Sequence, residues 1–296
     1  MIAVVITAYK EPKTIGRAIE AILRNRTKEP YKLIVVAPDK ETAAVVKRYK
    51  QVKYFKDAGK GKSYALNMIF RKLKSKVLVL TDGDVFIDRH ALQPLFDAFH
   101  DLSVGCVSGR PVAMNKRTAF VGYLSHLLLD AGAHAIRKKL DRERKFLECS
   151  GYLFAFRHKR AQIPTDVAED AYIPYLLWKN GYSVKYAEHA KVFVQYPDNL
   201  KDFVKQRVRT AKSHSRLRAY APDFPTVKSF WNEVRFGFFR VFSYPLTLKE
   251  FFWTLSIFPI RLYIWLRVFF ETYVSQHRYQ DAWDRIESTK TYSKSS

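Results

Sequence analysis

The sequence predicts an α/β fold: a mostly parallel central sheet covered by helices, followed by a C-terminal amphipathic helical extension. Three observations carry this. Short unbroken apolar runs such as Val77-Leu78-Val79-Leu80 mark strands buried on both faces. Segments with apolar residues at helical spacing separate these runs, the pattern of parallel strands joined by crossover helices. Past residue 220 the composition changes to a dense mixture of Phe, Trp, Tyr, Leu and Ile punctuated by Arg.

Ile2–Thr7 is the first strand, and Ala8-Tyr9-Lys10-Glu11-Pro12 follows it as a loop. Residues 14–23 carry Ile15, Ala18, Ile19 and Ile22 at helical spacing. Residues 33–36 form a second strand ending at Ala37-Pro38-Asp39, residues 42–49 a short helix, and residues 52–55 a third strand. Gly59-Lys60-Gly61-Lys62 is a basic loop, and Ser63 caps a helix running to Leu73. The run 77–80 then leads into Thr81-Asp82-Gly83-Asp84. Beyond it come a helix over 89–99, a strand over 104–108 and a long helical stretch over 119–139. The charge-dense segment 137–145 reads as a solvated helix end or loop. Residues 147–156 hold Cys149-Ser150-Gly151, and residues 167–180 form a helix with Glu169-Asp170 in its first turn, where carboxylates suit the dipole. Gly181 ends that helix, a strand covers 182–186, and a strongly basic helix covers 199–218. We divide the chain into residues 1–220, an α/β domain, and residues 221–296, an aromatic-rich amphipathic helical region with a polar tail.

Lys and Arg total 52 against 28 Asp and Glu, a formal charge of +24. Such a balance calls for an anionic partner: nucleic acid, an anionic membrane surface or a phosphorylated substrate. Cys106 and Cys149 form no CxxC pair, and the histidines form no HExxH motif, so a disulfide scaffold and a His-based metalloprotease are excluded. The N-terminus lacks the basic region of a signal peptide. In residues 230–273 the longest charge-free run, 251–260, is ten residues, whereas a spanning helix wants roughly 20. Two amphipathic helices lying in the membrane interface are therefore expected, with Trp253, Tyr263 and Trp265 at headgroup depth. A buried packing helix and a single spanning helix are the competing readings.

The two acids after the fourth strand admit two readings, a polar turn or a grip on a divalent cation through hard oxygen ligands. Gly59-Lys60-Gly61-Lys62-Ser63 is not a phosphate-binding P-loop, because Lys56 stands where that loop needs glycine. As point charges, Lys60 and Lys62 still suit phosphates. Asp170, at a helix N-terminus, is a candidate general base, with Glu169 competing for the role. Gln206 and Arg209 lie three apart on one helix face, and an Arg there can grip a phosphate bidentately.

In this order the pieces resemble the family 2 inverting glycosyltransferases of GT-A fold, in the membrane-associated branch. Val5-Ile6-Thr7-Ala8-Tyr9-Lys10-Glu11-Pro12 is similar to that family's opening strand and nucleotide loop, and Gly59 through Asn67 to its G-K-x-x-A-L-N segment. Asp82-Gly83-Asp84 resembles its metal-binding D-x-D, Ser150-Gly151 its acceptor-side segment, and Glu169-Asp170 the E-D pair whose Asp is the base. Gln206-Arg207-Val208-Arg209-Thr210 is similar to its Q-x-x-R-W motif, with Thr210 in place of the Trp that lines an acceptor channel.

The resemblance implies sugar transfer from a nucleotide-diphosphate-sugar, most often a UDP-sugar, with inversion. Asp170 would be the catalytic base. Asp82 and Asp84 would hold Mn²⁺ or Mg²⁺, Asp84 directly and Asp82 at the ribose or through water. Ala8, Tyr9, Glu11, Asp39, Lys60, Lys62, Asn67, Asp82, Gly83 and Arg209 would contact the donor. Ser150, Gly151, Glu169 and Gln206 would face the acceptor. The aromatic region points to a lipid-linked or glycan acceptor met on the cytoplasmic face of the cell membrane, the protein being peripheral or monotopic. Two alternatives stand beside this reading: a processive polysaccharide synthase, and a basic nucleic-acid-binding protein using the Lys- and Arg-rich helix over 199–218. Carboxylates at the sheet edge oppose the second.

Overall fold

The computed structural model describes residues 1–158, 162–225, 241–274 and 289. Eight strands form one mixed sheet. They are β1 (Ile2–Thr7), β2 (Tyr31–Val36), β3 (Val52–Phe55), β4 (Val77–Asp82), β5 (Val85–Ile87), β6 (Val104–Ala113), β7 (Leu153–Arg157) and β8 (Ser183–Val194). Their order across the sheet is β3-β2-β1-β4-β7-β6-β8-β5. β7 and β5 run against their neighbours and the other strands share one direction, so the sheet is mostly parallel as expected.

Alternation along the strands divides the core between two faces. Ala3, Val5, Leu78 and Leu80 face one side, with Ala65, Leu66 and Ile69 of α3 (Lys62–Lys72) and Ala171 and Tyr175 of α7 (Glu169–Lys179). Val4, Ile6, Val77 and Val79 face the other, with Ile15 and Ile19 of α1 (Ile15–Leu23) and Leu92 and Leu95 of α4 (Leu92–Asp97). Each fully buried side chain of this size contributes about 1.5–3 kcal/mol. α2 (Lys40–Val46) closes the edge beside β2 and β3. Register matters for function. Thr7 pairs with Val36 on one side and Asp82 on the other, so the loops after β1, β2 and β4 emerge together at one edge.

The structure corrects the sequence reading in several places. β5 follows the two acids at once and pairs antiparallel with the end of β8, too short to register as a periodic run. β6 and β8 run well past their expected ends, because pairing along their second halves outweighs Pro111 in one strand and Glu188-His189 in the other. The expected helix over 119–139 is three pieces: α5 (Phe120–Leu127), a wider π-helical stretch (Leu128–His134) and α6 (Ala135–Arg142). The segment 137–145 is no solvated end at its start. Arg137 is buried, and its guanidinium donates to the Glu148 carbonyl at 2.9 Å and the Cys149 carbonyl at 3.3 Å. It thereby fixes the irregular segment that leads to Ser150-Gly151.

The C-terminal extension crosses back onto the domain. α8 (Leu200–Tyr220) and α9 (Leu248–Phe269) pack through Val204, Val208, Ile264 and Val268. α9 also packs on α5 through Ile257, Tyr123 and Phe203 of α8. Glu250 of α9 takes a two-pronged hydrogen bond from Arg117, at 2.8 and 2.9 Å. The Tyr123 and Thr254 hydroxyls meet at 2.5 Å. Among the described residues α9 is one long helix within the stretch where two were expected; the expected helix before it falls largely on residues 226–240, outside the described residues. The opposite face leaves Phe252, Leu255, Leu262, Leu266 and Phe269 exposed. By length and composition, Leu248–Thr272 is long and apolar enough to cross a membrane.

Candidate active site

The sheet edge after β1, β2 and β4 is built by close backbone approach. The Gly83 amide donates to the Thr7 carbonyl at 2.9 Å. A Cβ on Gly83 would stand 2.3 Å from Glu11 Oε2 and 2.8 Å from the Ala8 Cβ, so only glycine fits between the acids. Ala8 and Glu11 are buried here, and Tyr9 is half-buried with the Lys10 ammonium 5.4 Å from its ring centre. Lys10 adopts φ 54°, a left-handed conformation that costs a non-glycine residue about 1–2 kcal/mol. Its amide is held there by Asp39 Oδ2 at 2.8 Å. Asp39 Oδ1 accepts from the Thr42 amide at 2.9 Å and caps α2. Burial pushes the Asp39 carboxyl up, but the bonds from Thr42 and Lys10 outweigh it and hold it below the ordinary range. Asp39, Lys10, Glu11 and Glu41 line a cleft of about 230 Å³.

From this edge an ion-pair chain leads to the second half of the site. Asp82 Oδ1 accepts from the Thr7 hydroxyl at 3.1 Å and meets the Lys62 ammonium at 2.7 Å. The same ammonium meets Glu169 Oε1 at 2.7 Å. Burial alone would lower the Lys62 pKa; the two carboxylates outweigh it and raise it well above the ordinary value. Next to Glu169, Asp170 Oδ2 accepts from the Gly151 amide at 2.9 Å, and the Asp170 carbonyl accepts from the Cys149 amide at 3.2 Å. The Ser150 amide is fixed by the Ser108 hydroxyl at 3.0 Å. Beyond Gly151, the Tyr152 carbonyl accepts from the Thr81 hydroxyl at 2.8 Å, tying this strand back to the one that carries the acids. The buried Tyr152 hydroxyl is pushed well above its ordinary pKa by burial, with Tyr196 and Asp84 adding to it and Arg207 opposing. Asp82, Lys62, Glu169, Asp170, Gly151, Tyr152 and Asp84 therefore form one continuous constellation drawn from distant parts of the chain.

The structure gives several of the expected site residues partners within the fold. The Asn67 side-chain amide donates to the Ile163 carbonyl at 2.7 Å and accepts from the Ile163 amide at 2.8 Å, holding that loop. Lys60 is exposed with its ammonium 5.7 Å from the Tyr64 ring centre, whereas Lys62 turns inward. Glu169, expected at the acceptor, is paired with Lys62. On α8, Gln206 is buried and Arg209 half-buried. The Arg207 guanidinium between them stacks 5.1 Å from the Tyr196 ring centre and 5.6 Å from that of Phe203. Arg207, Tyr152 and Tyr196 were missed in the sequence. Their signal was only adjacency, Arg207 inside the Gln206–Thr210 motif and Tyr152 beside Gly151.

The donor chemistry at Asp82 and Asp84 suits a hard divalent ion. Asp82 Oδ1 answers a cation and a hydroxyl, and Asp84, half-buried, follows two residues on. A second group with ligand atoms within 4.8 Å of one another, Glu29 before β2 with Asp97 and His100 before β6, lies at the opposite end of the parallel strands. Gln93 donates there to both Glu29 and Asp97.

The sequence model of Glycosyl transferase family 2 matches residues 3–161, more than half of the chain. The chain belongs to glycosyl transferase family 2. Among curated relatives, the poly-beta-1,6-N-acetyl-D-glucosamine synthase of Staphylococcus aureus (strain COL) is 25% identical over 225 residues, 71% of this chain and 54% of that protein. The Staphylococcus epidermidis protein of the same name is 24% identical over 242 residues, 77% of this chain and 58% of that protein. The chain thus spans little more than half the length of these relatives. A mannosyltransferase from Pyrobaculum calidifontis, solved with GDP-Man and Mn²⁺, matches with a TM-score of 0.60 at 17% identity, over 93% of this chain and 81% of that one. That likeness, with the mixed sheet and its order, gives this family 2 transferase the GT-A fold.

Proposed function

We propose that this glycosyltransferase moves one sugar from a nucleotide-diphosphate-sugar to a hydroxyl or phosphate of a lipid-linked acceptor, working at a membrane surface. The observation that carries the reading is the Lys62 bridge, which fastens Asp82 on the donor edge to Glu169, the neighbour of Asp170. Asp170 acts as general base. Its carboxylate, oriented by the Gly151 amide, takes the proton of the attacking hydroxyl. Asp84, with Asp82, would hold Mn²⁺ or Mg²⁺, which supplies charge neutralisation for the diphosphate when bound. Arg209 of the α8 motif and Lys62 would add positive charge at the diphosphate, and inversion follows from a single in-line displacement.

The exposed apolar face of α9 supports the membrane reading, because a soluble packing helix would have its Leu and Phe residues covered. The basic balance of the chain adds attraction to anionic headgroups. A cytoplasmic-face location goes with the nucleotide-sugar donor. The synthase relatives favour polymerisation as a second reading. Against it, Thr210 stands where the polymerising branch carries Trp, and this threonine donates to the Gln206 carbonyl at 3.0 Å.

Incubation with UDP- and GDP-sugars, Mn²⁺ and vesicles containing polyprenyl phosphate tests the proposal. One radiolabelled sugar per lipid is expected. A long polymer would favour the second reading, and transfer only to water-soluble acceptors in the absence of vesicle binding would overturn the lipid assignment.

A further inference from the structure

Asp57 stands just past β3, at the sheet edge that carries Asp39. It is 5% exposed. Its Oδ1 accepts from the Gly59 amide at 2.6 Å, while its Oδ2 is buried with no hydrogen-bond partner. A buried carboxylate oxygen left bare is costly, and a protein that keeps one is usually holding it for something else. The neighbouring acid differs. Both Asp39 oxygens are engaged by backbone amides, those of Thr42 and Lys10. Of the two carboxylates at this edge, Asp57 is therefore the one with accepting capacity to spare. The exposed turn Ala58-Gly59-Lys60 follows it and rests against Pro38, where a Cβ on Gly59 would come to 3.3 Å. Burial pushes the Asp57 carboxyl up and the Asp39 charge adds to this, with the Gly59 amide opposing; the proximity of the two acids is thus felt electrostatically.

We infer that Asp57 selects the nucleobase of the donor, its free Oδ2 accepting the ring N–H of a keto base, N3–H of uracil or N1–H of guanine. Cytosine and adenine present a bare ring nitrogen at the matching position, so the carboxylate would meet it lone pair against lone pair. Discrimination then comes from repulsion as much as attraction. The inference rests on the donor-site reading above.

The test uses the full chain and calorimetric binding of UDP, GDP, CDP and ADP with Mn²⁺, for wild type, Asp57→Asn and Asp57→Ala. Wild type should bind UDP or GDP at least about 10-fold tighter than CDP and ADP, the price of an unpaired polar contact. Whichever of UDP and GDP binds tighter names the base. Asp57→Asn can turn its amide to donate or accept, so it should bind CDP and UDP within about 3-fold of each other, a difference under about 0.7 kcal/mol. Asp57→Ala should weaken the keto nucleotides alone. The ligand-free Tm of Asp57→Asn should equal or exceed that of wild type, since a bare buried charge has gone; a purely structural role would lower it. Full base preference retained by Asp57→Asn overturns the inference and leaves the donor site standing. Failure of wild type to bind any nucleotide or nucleotide-sugar overturns the donor site itself.

Discussion

The donor edge and the C-terminal helices of this transferase are built by opposite means. At the edge, geometry is set over short reaches of backbone: Gly83 fits under Glu11 and Ala8, Asp39 pins Lys10, and Thr7 pairs with Asp82 in register. At the C-terminal end, α9 is placed by long-range charged contacts, Arg117 to Glu250 and Lys212 to Glu271 just past its end, together with two apolar seams. The first kind of site tolerates little change in volume. The second tolerates volume change but depends on intact charge pairs. Substitutions should separate the two.

The largest stability effect is expected at Arg117. Removing it by Arg117→Ala leaves Glu250 with no guanidinium partner and strips the cation from the Tyr244 ring, 4.4 Å away. Losing charge-assisted hydrogen bonds of this kind costs about 1.5–3 kcal/mol. Thermal unfolding should show it as a drop in Tm, with nucleotide binding to the remaining folded protein unchanged. An unaltered Tm would mean that apolar packing alone docks α9. At the site itself the reverse pattern is expected. Asp170→Asn and Asp84→Ala should each lower kcat by about 10²-fold or more, equivalent to about 2.7 kcal/mol of barrier, with little change in Tm. Turnover near wild type in both would remove the acid–base and metal roles together.

Gly83→Ala comes next. Its new Cβ would sit 2.3 Å from Glu11 Oε2, so the loop after β1 must move. Overpacking of this sort costs about 1–3 kcal/mol. Calorimetry should show weaker nucleotide binding, because the displaced residues, Ala8 to Glu11, line the donor edge.

The same contrast explains what could be read from the sequence. The parallel strands, the acid pair after β4 and the carboxylates opening α7 were legible, because local patterns and neighbouring residues encode them. The C-terminal ends of β6 and β8 were not, since their pairing partners lie far along the chain and polar residues such as Glu188 break the alternation. The structural bonds of Asn67 were hidden for a like reason. Its segment resembles a donor motif, but the loop at Ile163 that occupies it comes from 96 residues away. Lys62 was seen as a phosphate charge, and nothing local could show that Asp82 and Glu169 share it.

The smallest effects should appear as pH dependence. Arg117 chiefly, against burial, holds the Glu250 carboxyl below its ordinary value. A carboxylate depressed by folding contributes stability above its unfolded pKa, near 4.3 for Glu, and loses it as pH falls through the folded value. Glu250→Gln should therefore be less stable than wild type at pH 7, and the gap in Tm should narrow as the pH is lowered below about 4. A gap constant across that range would show that the pair works through shape alone. Asp39 is also depressed, but by backbone amides. Asparagine caps a helix about as well as aspartate. Asp39→Asn should thus shift Tm less than Glu250→Gln at pH 7, and its gap should close in the same acid window. An Asp39→Asn loss exceeding that of Glu250→Gln would mean that the donor edge, too, is held mainly by charge.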